Sequence, residues 1–217
     1  MTKIMSDIAY IIEKALSYQR EGKLIEAERI YNEVLEINPN QPDAMHLLGM
    51  IACSNQNYGR AIELINDAIL LNPKEADYHM NLSSAYLGLK QTALAKSHLK
   101  IAMQLNPNMS QAHYNLGNVL FAEGSIDQSI MAFKRSLRLD KNNQTIWTNY
   151  LFALNFSSKI SPEDIFRINR NWAKDLENKV KIQPTFDKYI IHDRRLKIAY
   201  FLPEFDNHVT LRFLTPV

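Results

Sequence analysis

Three asparagines, Asn81, Asn115 and Asn149, recur at intervals of 34 residues, in the contexts His79-Met80-Asn81-Leu82, His113-Tyr114-Asn115-Leu116 and Trp147-Thr148-Asn149-Tyr150. A primary amide carries two N–H donors and a carbonyl acceptor. A row of amides on one surface can therefore hydrogen-bond the backbone of an extended peptide and tolerate many sequences. The same amides also suit plain bonding to neighbouring helix backbone or to water. Covalent chemistry has less support. No carboxylate pair, zinc-ligand spacing or Ser–His–Asp order stands out, and the six glycines (22, 49, 59, 88, 117, 124) form no phosphate-cradling loop. His79 and His113, one repeat apart, are too distant to share a metal at about 10 Å between stacked helices. They suit half-buried packing. Cys53 stands alone in the chain, which excludes an internal disulfide and suits a small packing residue.

The elements that must hold this row are set by the same period. Pro39, Pro73 and Pro107 each follow an asparagine and close an apolar helical stretch. With each proline at position 32 of a repeat, the repeats span 8–41, 42–75, 76–109 and 110–143, with a half repeat at 144–156. Small residues fall into register at position 8 (Ala15, Gly49, Ser83, Gly117), position 20 (Ala27, Ala61, Ala95, Ser129) and position 27 (Val34, Ala68, Ala102, Ser136). Large apolar residues stand at position 24 (Tyr31, Ile65, Leu99, Phe133) and position 30 (Ile37, Leu71, Leu105, Leu139). Small against large at helical spacing is what two closely packed helices need, and both large positions are expected in the core.

A 34-residue helix–turn–helix period with these features resembles the tetratricopeptide repeat, from residue 8 to about 143, with a fifth first helix carrying Ile146, Trp147, Tyr150, Leu151 and Leu154. Lys141 stands where the fourth proline is due, and Lys14 makes the first repeat a polar edge. The resemblance implies an all-α superhelix, an α-solenoid of about four and a half repeats. Its first helices would line a concave groove through positions 2, 5, 6, 9 and 12. Position 6 then holds Asn81, Asn115 and Asn149, position 2 holds Asp43, Asp77 and Gln111, and position 5 holds His46, Met80 and Tyr114. The implied partners are extended protein segments or partner proteins lying in that groove, with self-association through the outer face left open.

Composition sets bounds on this reading. The 217 residues are 46% hydrophobic and 22% charged with a net charge of +2, which gives no electrostatic case for nucleic acid or an anionic membrane. No apolar run approaches the ~20 residues of a membrane span, and the N-terminus leads into an amphipathic helix rather than a signal core. A reducing, cytoplasmic setting is expected.

Beyond the repeats the period stops. Ser161-Pro162-Glu163-Asp164 opens a new helix, with a serine cap, proline in the first turn and acids at the positive end of the dipole. Ile165, Ile168, Trp172 and Leu176 form its apolar side, expected to dock on the last repeat, and Arg167, Arg170, Lys174 and Lys179 its basic faces. Residues 157–186 are read as this helical transition. Leu196 to Leu202 is a short apolar run suited to a buried parallel strand.

Leu151-Phe152-Ala153-Leu154-Asn155-Phe156, Ser161-Pro162-Glu163, Trp172-Ala173, Arg195-Leu196-Lys197-Ile198-Ala199-Tyr200, then Pro203-Glu204-Phe205 and His208, resemble the junction of the SPINDLY and O-linked N-acetylglucosamine transferase family (family 41). Ala199 and Glu204 replace the family's usual glycine and aspartate. The resemblance implies that residues 187–217 begin an α/β glycosyltransferase lobe, that His208 lies beside the sugar-donor site as a catalytic candidate, and that a full-length enzyme uses a uridine-diphosphate sugar to modify serine or threonine. It also places an asparagine row in that family's groove. This chain holds one strand of the lobe and no cofactor site of its own, so it is expected to be inactive alone, to be loosely packed from about residue 187, and to carry His208 as a plain loop histidine. Three roles follow: a substrate-presenting scaffold for a glycosyltransferase, a stand-alone adaptor, or one half of a split enzyme.

Overall fold

The structure, a computed structural model, describes residues 2–179. The strand expected at Leu196–Leu202, His208, the end of the transition segment and the loose packing expected from residue 187 all lie outside the described residues.

Residues Met1–Asp175 form one compact unit built from helices alone among its described residues. Helix α1 (Thr2–Arg20) pairs with α2 (Leu24–Ile37), α3 (Pro42–Ser54) with α4 (Tyr58–Leu71), α5 (Ala76–Gly88) with α6 (Thr92–Leu105), and α7 (Ser110–Ala122) with α8 (Ile126–Leu139). Helix α9 (Gln144–Leu154) follows, then α10 (Pro162–Lys179). The described part of the second unit, Leu176–Val217, is the last turn of α10. Helix α1 starts at Thr2, ahead of residue 8, because nothing between Thr2 and Asp7 breaks a helix.

Packing within a pair follows the small-and-large rule. Ala15, Ala27, Ala61, Ala68, Ala95 and Ala102 are fully buried, and so are Tyr31, Ile65 and Leu99 at position 24. A Cβ added at Gly49 would lie 2.6 Å from Ile65 Cγ1, and one at Gly117 2.5 Å from Phe133 Cε1. Position 8 must therefore shrink to admit the large side chain at position 24. The fourth pair uses serines where the others use alanine or, at Val34, valine, and each hydroxyl donates: Ser129 Oγ to the Gly117 carbonyl at 2.7 Å and Ser136 Oγ to the Ser110 carbonyl at 2.8 Å. A buried hydroxyl costs little once it is bonded.

Position 30 departs from expectation. Ile37 is 61% exposed, Leu71 45%, Leu105 40% and Leu139 36%. Each ends its helix, where the turn leads away from the partner helix and little remains to pack against. The core is carried by position 24.

The turns are built by two devices. Within each pair, position 15 adopts the left-handed conformation: Gly22 (φ +77°), Gln56 (+59°), Lys90 (+59°) and Gly124 (+76°). Only glycine does so without steric cost. Between pairs, the Asn38 and Asn106 side chains accept from the N–H groups of Asn40 and Asn108 at 3.3 and 3.2 Å, folding the turn around the proline.

Position 4 adds a third tie. His79 Nε2 lies 3.2 Å from the Pro73 carbonyl, His113 Nε2 3.2 Å from the Pro107 carbonyl, and Trp147 Nε1 2.9 Å from the Lys141 carbonyl. Each ring N–H donates to the turn six residues earlier. The proline position needs only a carbonyl for this, which Lys141 supplies. The donor role fixes the His79 tautomer with Nδ1 bare, so His98 Nδ1–H, 3.2 Å away, donates to it. These histidines are structural ties, and among the described residues no group of three or more His, Cys, Asp or Glu could hold a metal.

Helix α10 begins two residues later than the period would place a second helix. Glu163 and Arg170 stand where small residues sit in the other pairs. Close approach is blocked, so α10 meets α9 through large side chains instead: Ile165, Ile168 and Trp172 pack on the cluster around Ile146 and Tyr150. Trp172 and Trp147 face each other with ring centroids 6.2 Å apart. Arg167, Arg170 and Lys174 are exposed.

Candidate functional site: the first-helix face

The asparagine row lies on consecutive first helices, and its members bond from one repeat to the one before. Asn81 Nδ2 donates to His46 Nε2 at 2.8 Å and to Met50 Sδ at 3.4 Å. Asn115 Nδ2 donates to Ser84 Oγ at 3.1 Å, and Asn115 Oδ1 accepts from Gln111 Nε2 at 3.0 Å. Asn149 Nδ2 donates to the Tyr114 hydroxyl at 2.9 Å and to Asn118 Oδ1 at 3.0 Å. Every N–H partner lies 31 or 35 residues upstream. That offset follows from the stacking, since the residue one repeat back is the helix neighbour and its flanking positions lie on the facing side.

The chemistry of the row changes accordingly. Asn81 and Asn149 spend both amide hydrogens inside the solenoid. Their carbonyl oxygens take no hydrogen bond among the described residues and are not sealed from solvent, which leaves each as an acceptor for a peptide N–H. Asn115 is buried with donor and acceptor both engaged.

The other sequence-selected residues divide by burial. His46 and Met80 are buried and form the floor of the face rather than its surface. Burial pushes the His46 imidazole down to about 4, with Asp43 opposing that shift, so the ring stays neutral and keeps Nε2 free to accept from Asn81. Its ring packs on Tyr78 at 4.6 Å between centroids, and the Tyr78 hydroxyl donates to Asp43 Oδ1 at 2.5 Å. Burial first, then the bond to Asp43, raises the Tyr78 phenol well above its usual range. Asp43, Asp77 and Gln111 are exposed, and Tyr114 is half-buried. His208 lies outside the described residues.

Two hollows open along the face. One lies over α1, α3 and the start of α5, lined by Ile12, Leu16, His46 and Leu47 with Asp43, Glu75 and Asp77 around them. The other lies between α7 and α9, lined by Asn118, Phe121, Phe133, Asn149 and Phe152. The residues that sequence reasoning passed over stand at positions 9 and 12: Met50, Ser84, Asn118, Phe121 and Phe152. The 34-residue register that found the asparagines would have found these too. Cys53 is half-buried with its thiol pushed up by burial, which does not favour a thiolate nucleophile. Among the described residues no helix is long and apolar enough to cross a membrane.

Two tetratricopeptide-repeat family models match the chain, over residues 18–84 and 80–143. Among curated proteins, the BBSome complex member BBS4 of Xenopus tropicalis is 30% identical over 135 residues, 62% of this chain and 26% of that protein. The small glutamine-rich tetratricopeptide repeat-containing protein 2 of Mycosarcoma maydis is 31% identical over 98 residues, 45% of this chain and 28% of that protein. The chain thus spans about a quarter of the length of these relatives. Among solved structures, MamA superposes with a TM-score of 0.65 at 20% identity, covering 82% of this chain and 97% of that one. Pseudomonas aeruginosa pilF gives 0.68 at 22% identity, covering 77% and 75%. At such identities the structures speak for the fold alone. Period, packing positions, turn devices and both family models agree: this chain belongs to the tetratricopeptide-repeat proteins.

Proposed function

We propose that the first-helix face holds an extended segment of a partner protein, and that the chain acts as a protein-binding scaffold. The observation that supports this most is the pair of open carbonyl acceptors, Asn81 Oδ1 and Asn149 Oδ1, flanked by the two hollows. Backbone N–H groups of a strand-like segment bond the acceptors, and its alternate side chains enter the hollows. The test is titration of the chain with extended peptides while its backbone amide resonances are followed. Shifts concentrated on α3, α5, α7 and α9 support the reading, and shifts confined to α4, α6 and α8 refute it. Changing Asn81, Asn115 and Asn149 together to alanine should weaken binding at least tenfold, with circular dichroism reporting whether the solenoid remains folded.

A larger role rests on the resemblance of residues 151–208 to the SPINDLY and O-linked N-acetylglucosamine transferase junction. In that role the held segment is delivered to a glycosyltransferase lobe that uses a nucleotide sugar. A stand-alone adaptor accounts equally well for the face itself. Coding sequence downstream of Val217 with a uridine-nucleotide site separates the two: its presence favours delivery, a stop codon favours the adaptor.

A further inference from the structure

The hollow between α7 and α9 is aromatic. Phe121 faces Phe152 at 5.6 Å between centroids and Phe156 edge-on at 5.3 Å, and Phe152 meets Phe156 edge-on at 5.0 Å. Phe152 is 55% exposed and Phe156 54%. The hollow is about 200 Å³, room for one large side chain, with Asn149 at its wall.

Charge is distributed unevenly around it. Positions 2, 5, 6, 9 and 12 of α1, α3, α5, α7 and α9 hold no lysine or arginine, although the whole chain carries a net charge of +2. Carboxylates stand at three of these positions, Glu13, Asp43 and Asp77. Glu13 is paired with Arg20 at 3.6 Å. Among the described residues Asp43 and Asp77 are in no ion pair, and Asp43 only accepts from Tyr78. The exposed cations Lys134, Arg135 and Arg138 lie on the second helix α8, and Arg167 and Arg170 on α10.

We infer that the occupant is an extended partner segment with a large aromatic or aliphatic side chain seated against Phe121 and Phe152, and basic side chains lying along Asp77 and Asp43. This rests on the groove reading above and adds the chemistry of the ligand. Charge complementarity selects the cations, since an acidic segment would meet uncompensated carboxylates. Geometry sets the spacing. Stacked helices lie about 10 Å apart, so α5 to α9 is roughly 20 Å and α3 to α9 roughly 30 Å. An extended chain rises about 3.3 Å per residue, which puts the cations roughly six to nine residues from the apolar anchor.

The experiment is fluorescence anisotropy on the 217-residue chain with three labelled synthetic peptides, each in forward and reversed order. The first has lysines about six and nine residues from a single phenylalanine with Ser/Thr at every other position, the second replaces the lysines with glutamates, and the third replaces the phenylalanine with serine. The first should bind at least tenfold tighter than either other in one of the two orders, and should weaken with salt. Phe152→Ser and Asp77→Asn, both at exposed positions, should each weaken the first peptide at least fivefold. Phe152→Ser should leave the third unchanged, and Asp77→Asn should leave the second no weaker, since it removes a charge that repels the glutamates. Binding of all three within twofold, with amide shifts still along the first helices, would overturn this inference and leave the groove reading standing. Preference for the glutamate peptide would also overturn it. Failure of every peptide to bind would overturn both.

Discussion

At Gly117, one missing methyl group decides whether two helices can meet. Phe133 occupies the space where a side chain would begin. Gly117→Ala should destabilise the solenoid by about 1–3 kcal/mol, as overpacking does, and Phe133→Leu should recover part of it in urea melts. Position 15 offers the opposite change. Gln56 and Lys90 sit at φ +59° where the first and fourth pairs use glycine. Lys90→Gly should stabilise by roughly 0.5–1 kcal/mol, the left-handed penalty less the added chain entropy of glycine. His46 gives the pH dependence. Its native pKa of about 4 lies below the usual value of 6.5, so between these the unfolded chain binds a proton that the folded chain refuses. Stability should be full above pH 6.5 and fall as pH drops towards 4, by on the order of 3 kcal/mol. His46→Gln should flatten that part of the profile. The small positions 8, 20 and 27 and the asparagine row were legible in the sequence because they repeat at one period. What the amides bond to was not read, because it depends on how one repeat sits on the previous one. That geometry turns Asn81 and Asn149 from general peptide binders into open acceptors.

Among the elements, α9 and α10 show how the stack ends. The ring N–H of Trp147 ties α9 to the preceding turn as His79 and His113 do for α5 and α7. Trp147→Phe keeps the ring but loses this donor and should cost about 1 kcal/mol. The chain's two tryptophans both lie at the α9–α10 seam. Intrinsic fluorescence therefore reports this docking directly. Trp172→Ala should shift the remaining emission to the red by admitting water to Trp147, and an unchanged spectrum would show that α10 does not cover it. The apolar side of α10 was readable from its spacing of Ile165, Ile168 and Trp172. The exposure of position 30 was not, since a periodic pattern says which side a residue shares and not where the partner helix ends. The aromatic hollow of Phe121 and Phe152 was in reach at positions 9 and 12.

At the scale of the whole molecule, the main helix–helix contacts among the described residues run within a repeat or between neighbouring repeats, so stability is a sum of repeat and interface contributions and binding uses many small contacts along one face. The first-helix face combines acceptors, carboxylates and an aromatic hollow, while cations such as Lys134 and Arg135 lie on a second helix. A ligand should therefore engage the two kinds of helix very differently. The measurement that tests this most directly is backbone amide mapping of the 217-residue chain during titration with the lysine–phenylalanine peptide. Saturable shifts are expected along α3, α5, α7 and α9, largest near Asn149 and Phe152. Shifts along α4, α6 and α8, or none at a peptide excess sufficient for millimolar binding, would contradict the groove reading.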